Sequence, residues 1–239
     1  MRYPRVIAHR CGGALAPENT LAGLRIAARL GCQGVEFDTM LSADGVPVLI
    51  HDETLARTTD GRGRVAGYSF QSLRALDAGA NRGRAFAGEP IPSLDEALAL
   101  CRELGLWANV EIKPSAGCDE ETGRVVGRHL AEHWDGNGVV SSFSEAALAA
   151  ARASAGRFDF ALLADGIPRD WRERLAAADC QAWHCAADAD PAAIAAVAAA
   201  GIPVACYTIN ERREAERLFA AGAVAVFTDR PDRWTPAEM

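Results

Sequence analysis

Two histidines, each followed by a charged residue, bracket a pair of carboxylates within the first 52 residues. His9-Arg10 closes a short apolar run, Glu36-Phe-Asp38 closes a second, and His51-Asp52 a third. An unperturbed imidazole titrates near neutrality, so His9 and His51 could each carry a proton at pH 7. Glu36 and Asp38 could hold a metal ion, and Arg10 offers a planar fork of donors to an oxyanion. This inventory suits metal-assisted cleavage of a phosphate ester, provided the groups meet in space.

The elements that must bring them together are legible as an alternation. Apolar, β-branched runs span Arg5–His9, Gly34–Asp38, Trp107–Lys113, Gly138–Ser142, Phe158–Leu163, Gln181–His184, Pro203–Thr208 and Val224–Thr228. Between them lie Ala-, Leu-, Arg- and Glu-rich stretches with helical spacing, such as Leu21, Leu24 and Ala28. Asn19-Thr20, Ser93, Ser144 and Asn210 are expected helix N-caps, and Gly31, Gly105, Gly201 and Gly222 are expected just past helix ends. The Ala-rich 192–200 segment is expected to be a helix packed on the sheet rather than a linker. Eight strand–helix units in 239 residues predict a single (β/α)8 TIM barrel, with a doubly wound open sheet as the competing arrangement. One segment breaks the rhythm. From about 41 to 90 the pattern is turn, returning strand (Val46–Ile50) and polar, Gly-rich loop. It is expected to be an insertion after the second strand that caps the barrel's C-terminal face, with Tyr68, Phe70 and Phe86 in a small core of its own.

In such a barrel the strand C-termini carry the chemistry. Glu36 and Asp38 are two apart and share one face of a strand; Glu111 and Lys113 repeat that spacing. Three inward carboxylates are costly to bury, and a divalent cation held by Glu36, Asp38 and Glu111 would relieve the cost. Oxygen ligands without cysteine favour Mg2+ or Ca2+ over zinc. The competing arrangement pairs the carboxylates with Arg10 and Lys113 as salt bridges. Arg10 and Lys113 are otherwise phosphate contacts, and His9 and His51 a general acid/base pair. Asp52 either orients His51, binds metal or begins a turn. His184 ends the sixth strand and either lines the pocket or is structural. His129 and His133, four apart on a helix, read as a surface pair because no carboxylate partner is evident.

Composition narrows the setting. A net charge of -7 without a basic stripe argues against nucleic acid and anionic membranes. The N-terminus lacks an apolar signal segment, and no stretch approaches the ~20 apolar residues that span a bilayer. Seven cysteines without a CxxC pair argue against zinc or a disulfide framework. A cytoplasmic protein, without membrane insertion, is expected. A homo-oligomer is compatible with the sequence.

The stretch His9-Arg-Cys-Gly-Gly-Ala-Leu-Ala-Pro-Glu-Asn-Thr20, with Glu36-Phe-Asp38, His51-Asp52 and Glu111-Ile-Lys113, resembles the glycerophosphodiester phosphodiesterases. Ser141-Ser-Phe143, Tyr207-Thr-Ile-Asn210 and Thr228-Asp-Arg-Pro-Asp232 extend the resemblance over nearly the whole chain, closest to the small bacterial cytosolic type. It implies a metal-dependent barrel that hydrolyses glycerophosphodiesters, such as glycerophosphocholine or glycerophosphoethanolamine, to sn-glycerol 3-phosphate and an alcohol. It implies His9 and His51 as acid and base, Glu36, Asp38 and Glu111 as ligands of one divalent cation, and Arg10 and Lys113 as phosphate contacts, with His51 carried by the insertion. Tyr207 stands where the family often has Trp, and keeps an aromatic wall by the substrate. Cys11 stands where Gly usually follows His-Arg. A position needing only a small side chain is the expectation there, rather than one needing positive φ, and the thiol would lie beside the metal site and be oxidisable. Two other activities remain open: a lysophospholipase D-type lipid phosphodiesterase, and a non-catalytic barrel that binds phosphodiesters.

Overall fold

Strands buried on both faces read as unbroken apolar runs, and that is how the eight predicted runs are used. The computed structural model describes residues 2–238. In chain order its main elements are β1 (Val6–Ala8), α1 (Leu21–Leu30), β2 (Gly34–Leu41), β3 (Pro47–Leu49), α2 (Phe70–Arg74), α3 (Leu94–Leu104) and β4 (Trp107–Ile112). Then follow α4 (Asp119–His133), β5 (Gly138–Ser142), α5 (Glu145–Ala155), β6 (Asp159–Ala164), α6 (Trp171–Ala177), β7 (Ala182–Ala186), α7 (Pro191–Ala199), β8 (Val204–Tyr207), α8 (Arg212–Ala220) and β9 (Ala225–Thr228). Eight of the strands are parallel neighbours, and β1 pairs with both β2 and β9, so the ring closes. This is the (β/α)8 barrel, not the open sheet. The last unit is completed by a 3-10 turn, Pro231–Arg233, in place of a full helix. β3 lies outside the ring, antiparallel to β2.

Alternate strand residues serve two cores. Val35, Phe37, Val110, Phe160, Leu162, Trp183 and Val226 face outward and pack under the helices. Ile7, Trp107, Val139 and Phe227 face inward, with Ala161, Ala182, Ala205 and Ala225 from four successive strands. Four alanines leave room on one side of the interior. Tyr3, entering from the N-terminal end, packs there against Trp107, with ring centroids 5.0 Å apart. Its hydroxyl lies 2.8 Å from His184 Nε2.

Local chemistry fixes most helix starts. Thr20, Ser93 and Ser144 accept from Gly23, Glu96 and Ala147 N–H, and Ser93 with Glu96 forms a capping box. Asn19 and Asn210 are not caps: α1 is capped by Thr20 alone, and α8 begins after Glu211. Both asparagines are spent on carboxylates at the site, which outcompetes a helix end. The Ala-rich segment is α7, held by buried Ile194 and Val197.

The excursion between β2 and α3 has its own apolar cluster of Met40, Val48, Ile50, Leu55, Val65, Leu73, Ala78 and Ile91. Phe70 joins it; Tyr68 is exposed, donating its hydroxyl to Arg62 O, and Phe86 lies half-buried outside it. The cluster is fastened to the barrel by the Arg74–Glu96 ion pair and by Ala22 N–H donating to Glu89. No helix among the described residues is long and apolar enough to cross a membrane.

The alanine layer makes Tyr3 a structural plug. Tyr3→Ala should cost about 3 kcal/mol, as expected for emptying a large aromatic side chain from a packed interior, read as a fall in the urea midpoint. Tyr3→Phe should cost less, leaving only the His184 nitrogen without its partner. A Tyr3→Ala midpoint equal to wild type would show that the interior closes without it.

Candidate functional site

The turn after β1 is built to present one amide. Arg10 and Cys11 both take left-handed backbone, φ 50° and 73°. That geometry turns Arg10 N–H onto Glu36 Oε2 at 2.7 Å, and Cys11 N–H onto Glu36 O at 2.7 Å. The expectation for Cys11 is therefore corrected: the position does need positive φ, which is uncommon for a residue with a Cβ. Its side chain packs fully buried against Gly23, and burial pushes its thiol pKa well up. A buried thiol is an inert core group rather than an oxidisable neighbour of the site. Gly13, φ 59°, follows; any Cβ there would collide with the Asp229 backbone.

Register brings the carboxylates together. Asp38 on β2 is directly opposite Glu111 on β4, and Glu36 lies one step below on the same face. Glu36, Asp38 and Glu111 are 3%, 2% and 8% exposed, and one oxygen from each lies within 4.8 Å of the other two. Asn19 holds Asp38 with two bonds, Nδ2 to Oδ2 at 2.8 Å and Asp38 N–H to Asn19 Oδ1 at 3.0 Å. Glu36 Oε1 and Glu111 Oε1 have no hydrogen-bond partner. Burial, then the neighbouring carboxylates, pushes Glu36 well above its usual range, and Glu111 to about 8. For Asp38 burial acts in the same direction, but His51, Lys113 and Arg10 outweigh it and its pKa is lowered.

Salt bridges alone do not satisfy this trio. Lys113 Nζ stands 3.5 Å from Asp38 and 3.7 Å from Glu111, and Arg10 Nε 3.8 Å from Asp38. These are longer than hydrogen bonds, and Arg10 Nε is itself buried without a partner. Two cations facing three carboxylates, with two orphaned oxygens, are what a divalent ion would complete. The donor set is all oxygen, which fits Mg2+ or Ca2+.

Each histidine is oriented by a carboxylate. His9 Nδ1 is 2.7 Å from Asp229 Oδ1, leaving Nε2 toward the trio, 3.9 Å from Glu36 Oε2. His51 Nδ1 is 2.8 Å from Asp52 Oδ1, so Asp52 is its orienting partner. Lys113 Nζ lies 2.7 Å from His51 Nε2. An ammonium can only donate, so Nε2 accepts and the ring proton sits on Nδ1. Burial lowers the His51 pKa even though Asp38 and Asp52 oppose it. Arg57 grips Asp52 and also Glu18, at 2.5 Å and 2.7 Å, and holds Asp52 well below the usual carboxylate range. Asn210 fixes Asp229, accepting its N–H at 2.8 Å.

All the predicted residues line one cavity of about 190 Å³: His9, Arg10, Glu36, Asp38, His51, Glu111, Lys113, His184 and Tyr207. His184 sits deepest, fully buried, its pKa pushed down to about 3 by burial, so its ring is neutral. Tyr207 donates its hydroxyl to Ala164 O and, with Phe143, forms an aromatic wall. A second cavity of about 300 Å³ opens beyond His9 and Arg10, lined by Glu18, Arg82 and Asp229. Sequence reasoning missed Asp229, Asn19 and the Arg57–Glu18 link. Asp229 directly follows the last barrel strand, a position that could have identified it; Asn19 and Arg57 gave no local signal.

The chain matches the Glycerophosphoryl diester phosphodiesterase family over residues 9–233. It is 31% identical over 232 residues to a glycerophosphodiester phosphodiesterase of Caldanaerobacter subterraneus subsp. tengcongensis, covering 95% of this chain and 94% of that one. Its fold is similar to that of an Oleispira antarctica phosphodiesterase solved in complex with the product sn-glycerol-3-phosphate, with TM-score 0.93, 39% identity and coverage of 96% and 94%. A glycerophosphodiester phosphodiesterase from Agrobacterium tumefaciens superposes with TM-score 0.75 at 28% identity, covering 96% and 98%.

The buried trio has a thermodynamic signature. Glu111 moves from 4.5 when unfolded to about 8 in the metal-free fold, so between these values the folded state binds the extra proton. Glu111's contribution to stability is full below the lower value and is lost as pH rises through the upper one; Asp38, shifted the other way, loses its contribution only on strong acidification. Below about pH 6.5 the lowered pKa values of His184 and His51 act in the opposite sense, so the Tm of chelator-treated protein should decline from about pH 6.5 to about pH 8, and saturating Mg2+ should flatten the decline. A metal-free Tm that rises over this window would contradict the assignment.

Proposed function

The chain belongs to the glycerophosphoryl diester phosphodiesterase family, and from that premise we propose that it hydrolyses glycerophosphodiesters to sn-glycerol 3-phosphate and an alcohol. The observation that carries the reading is the pairing of two carboxylate-oriented imidazoles with a buried three-carboxylate cluster in one cavity. Glu36, Asp38 and Glu111 would hold one Mg2+ or Ca2+ ion, which when bound supplies positive charge to a phosphate nonbridging oxygen.

The chain's own groups supply the rest. Arg10 and Lys113 bind the phosphate oxyanion, Arg10 as a fork and Lys113 as a point charge. Lys113 rests on His51 Nε2, so its transfer to phosphate frees that lone pair. The lone pair fits His51 as the base, removing the proton from water or from the glycerol 2-hydroxyl as that oxygen bonds to phosphorus. The acid is then His9, whose Nε2 protonates the departing alkoxide while Asp229 holds Nδ1 and fixes the ring's orientation. With the 2-hydroxyl as nucleophile, a cyclic phosphate forms first and water opens it. The excursion over residues 41–90 acts as a cap that delivers His51, held by Arg57 to the loop after β1.

The polar lining of the second cavity favours a headgroup such as choline or ethanolamine over an acyl chain, and so disfavours the lysophospholipase D-type activity. Seven free cysteines, six of them buried, support a cytoplasmic setting.

Release of glycerol 3-phosphate from glycerophosphocholine and glycerophosphoethanolamine, with Mg2+, Ca2+ or chelator, tests the reading. His9→Ala and His51→Ala should each lower kcat/KM by roughly 10²–10⁴-fold with Tm retained. Full activity in either variant would remove that residue from the mechanism, and full activity in chelator would remove the metal. Faster turnover of lysophosphatidylcholine would favour the lipid substrate, and tight binding without turnover the idle barrel.

A further inference from the structure

The only other group of metal-capable side chains among the described residues lies on the outside of the barrel, between α3 and α4. We propose that Asp95, His129 and His133 form a second metal site, one that takes a zinc-class divalent cation and clips α4 to α3. His129 and His133 are four apart on α4, so both imidazoles project from one helix face, their ring centroids 5.8 Å apart. From sequence this pair lacks a carboxylate. The fold supplies one from the first turn of α3: Asp95 Oδ1 lies 2.9 Å from His129 Nδ1.

Ligand atoms of all three residues fall within 4.8 Å of one another. Tetrahedral zinc, with bonds near 2.0–2.1 Å, needs ligand atoms roughly 3.4 Å apart. The Asp95–His129 contact is already closer than that, and rotation of two part-exposed imidazoles covers the remainder. The side chains of Asp95, His129 and His133 are 43%, 28% and 47% exposed, so an ion can enter from solvent and keep a water as its fourth ligand.

The surrounding charge is compatible. Glu132 Oε2 is 3.7 Å from His133 Nε2 and adds negative potential. The nearby cation Arg102 is engaged elsewhere, donating to His133 O at 2.9 Å and pairing with Asp135 at 3.4 Å. That first bond also ties the end of α4 to α3, so the metal would reinforce a join that exists. The chemistry separates the two sites: two imidazoles and one carboxylate prefer Zn2+, Co2+ or Ni2+, while the three buried carboxylates prefer Mg2+ or Ca2+.

The test is Zn2+ titration of metal-stripped protein by calorimetry in saturating Mg2+, with Co2+ absorption as a second readout. Wild type should bind one Zn2+, show the visible bands of tetrahedral Co2+, and gain a few degrees in Tm with Zn2+. Asp95→Asn should weaken binding by tenfold or more, and His129→Ala/His133→Ala should abolish both the binding and the Tm gain. Glu111→Gln should leave all three unchanged. The proposal is overturned if the double variant binds Zn2+ like wild type, if Glu111→Gln alone removes the binding, or if wild type binds none.

Discussion

Placing three carboxylates at adjacent positions in a barrel mouth is expensive, and most of the site can be derived from how the cost is met. The β2–β4 register forces Asp38 opposite Glu111, with Glu36 on the same face. Burial denies them water, and their mutual repulsion raises two of the three pKa values. Relief comes from several directions. The left-handed turn after β1 aims Arg10 N–H at Glu36, Asn19 brackets Asp38 from both sides, and Arg10 and Lys113 approach without closing. The two oxygens left over, on Glu36 and Glu111, are what makes the trio a candidate cation site.

The same constraint bears on how the excursion between β2 and α3 is held. His51 and Asp52 belong to the excursion, whereas Lys113 and Asp38 belong to the ring. A continuous set of ion pairs runs from His51 to Asp52, Arg57, Glu18 and Arg10, crossing once from excursion to barrel. Exposed single pairs contribute little, but a shared guanidinium between two fixed carboxylates adds direction. That direction points the Nε2 of His51 at the trio from one side, while Asp229 points His9 at it from the other.

The sequence revealed the barrel because parallel strands announce themselves as apolar runs and their ends carry the polar residues. His9, Glu111 and Lys113 sit at or beside such an end; Glu36 and Asp38 fall within β2, which runs on to Leu41, and His51 follows β3 outside the ring, yet all six line one cavity. The sequence did not reveal Asn19, Arg57 or Asn210, since their partners are 19 to 39 residues away and only tertiary packing selects them. Asn19 and Asn210 looked like caps because asparagine is good at both jobs, and a buried carboxylate is the stronger claim. Cys11 misled for a different reason: side-chain size is visible in a sequence, but φ is set by where the amide must point.

The interior of the barrel then changes character along its axis, and the change locates the reaction. At the N-terminal end alanines from β6 to β9 make room for Tyr3, whose ring and hydroxyl complete an apolar floor. At the other end stand the carboxylates. His184 is at the boundary, with one nitrogen on Tyr3 and the other without a partner, and burial keeps it uncharged. A protonated ring at that depth would repel a cation held by the carboxylates above it. The neutral ring removes that repulsion, so the carboxylates at the mouth, with His9 Nε2 3.9 Å from Glu36 and Lys113 between His51 and Asp38, are not opposed from below.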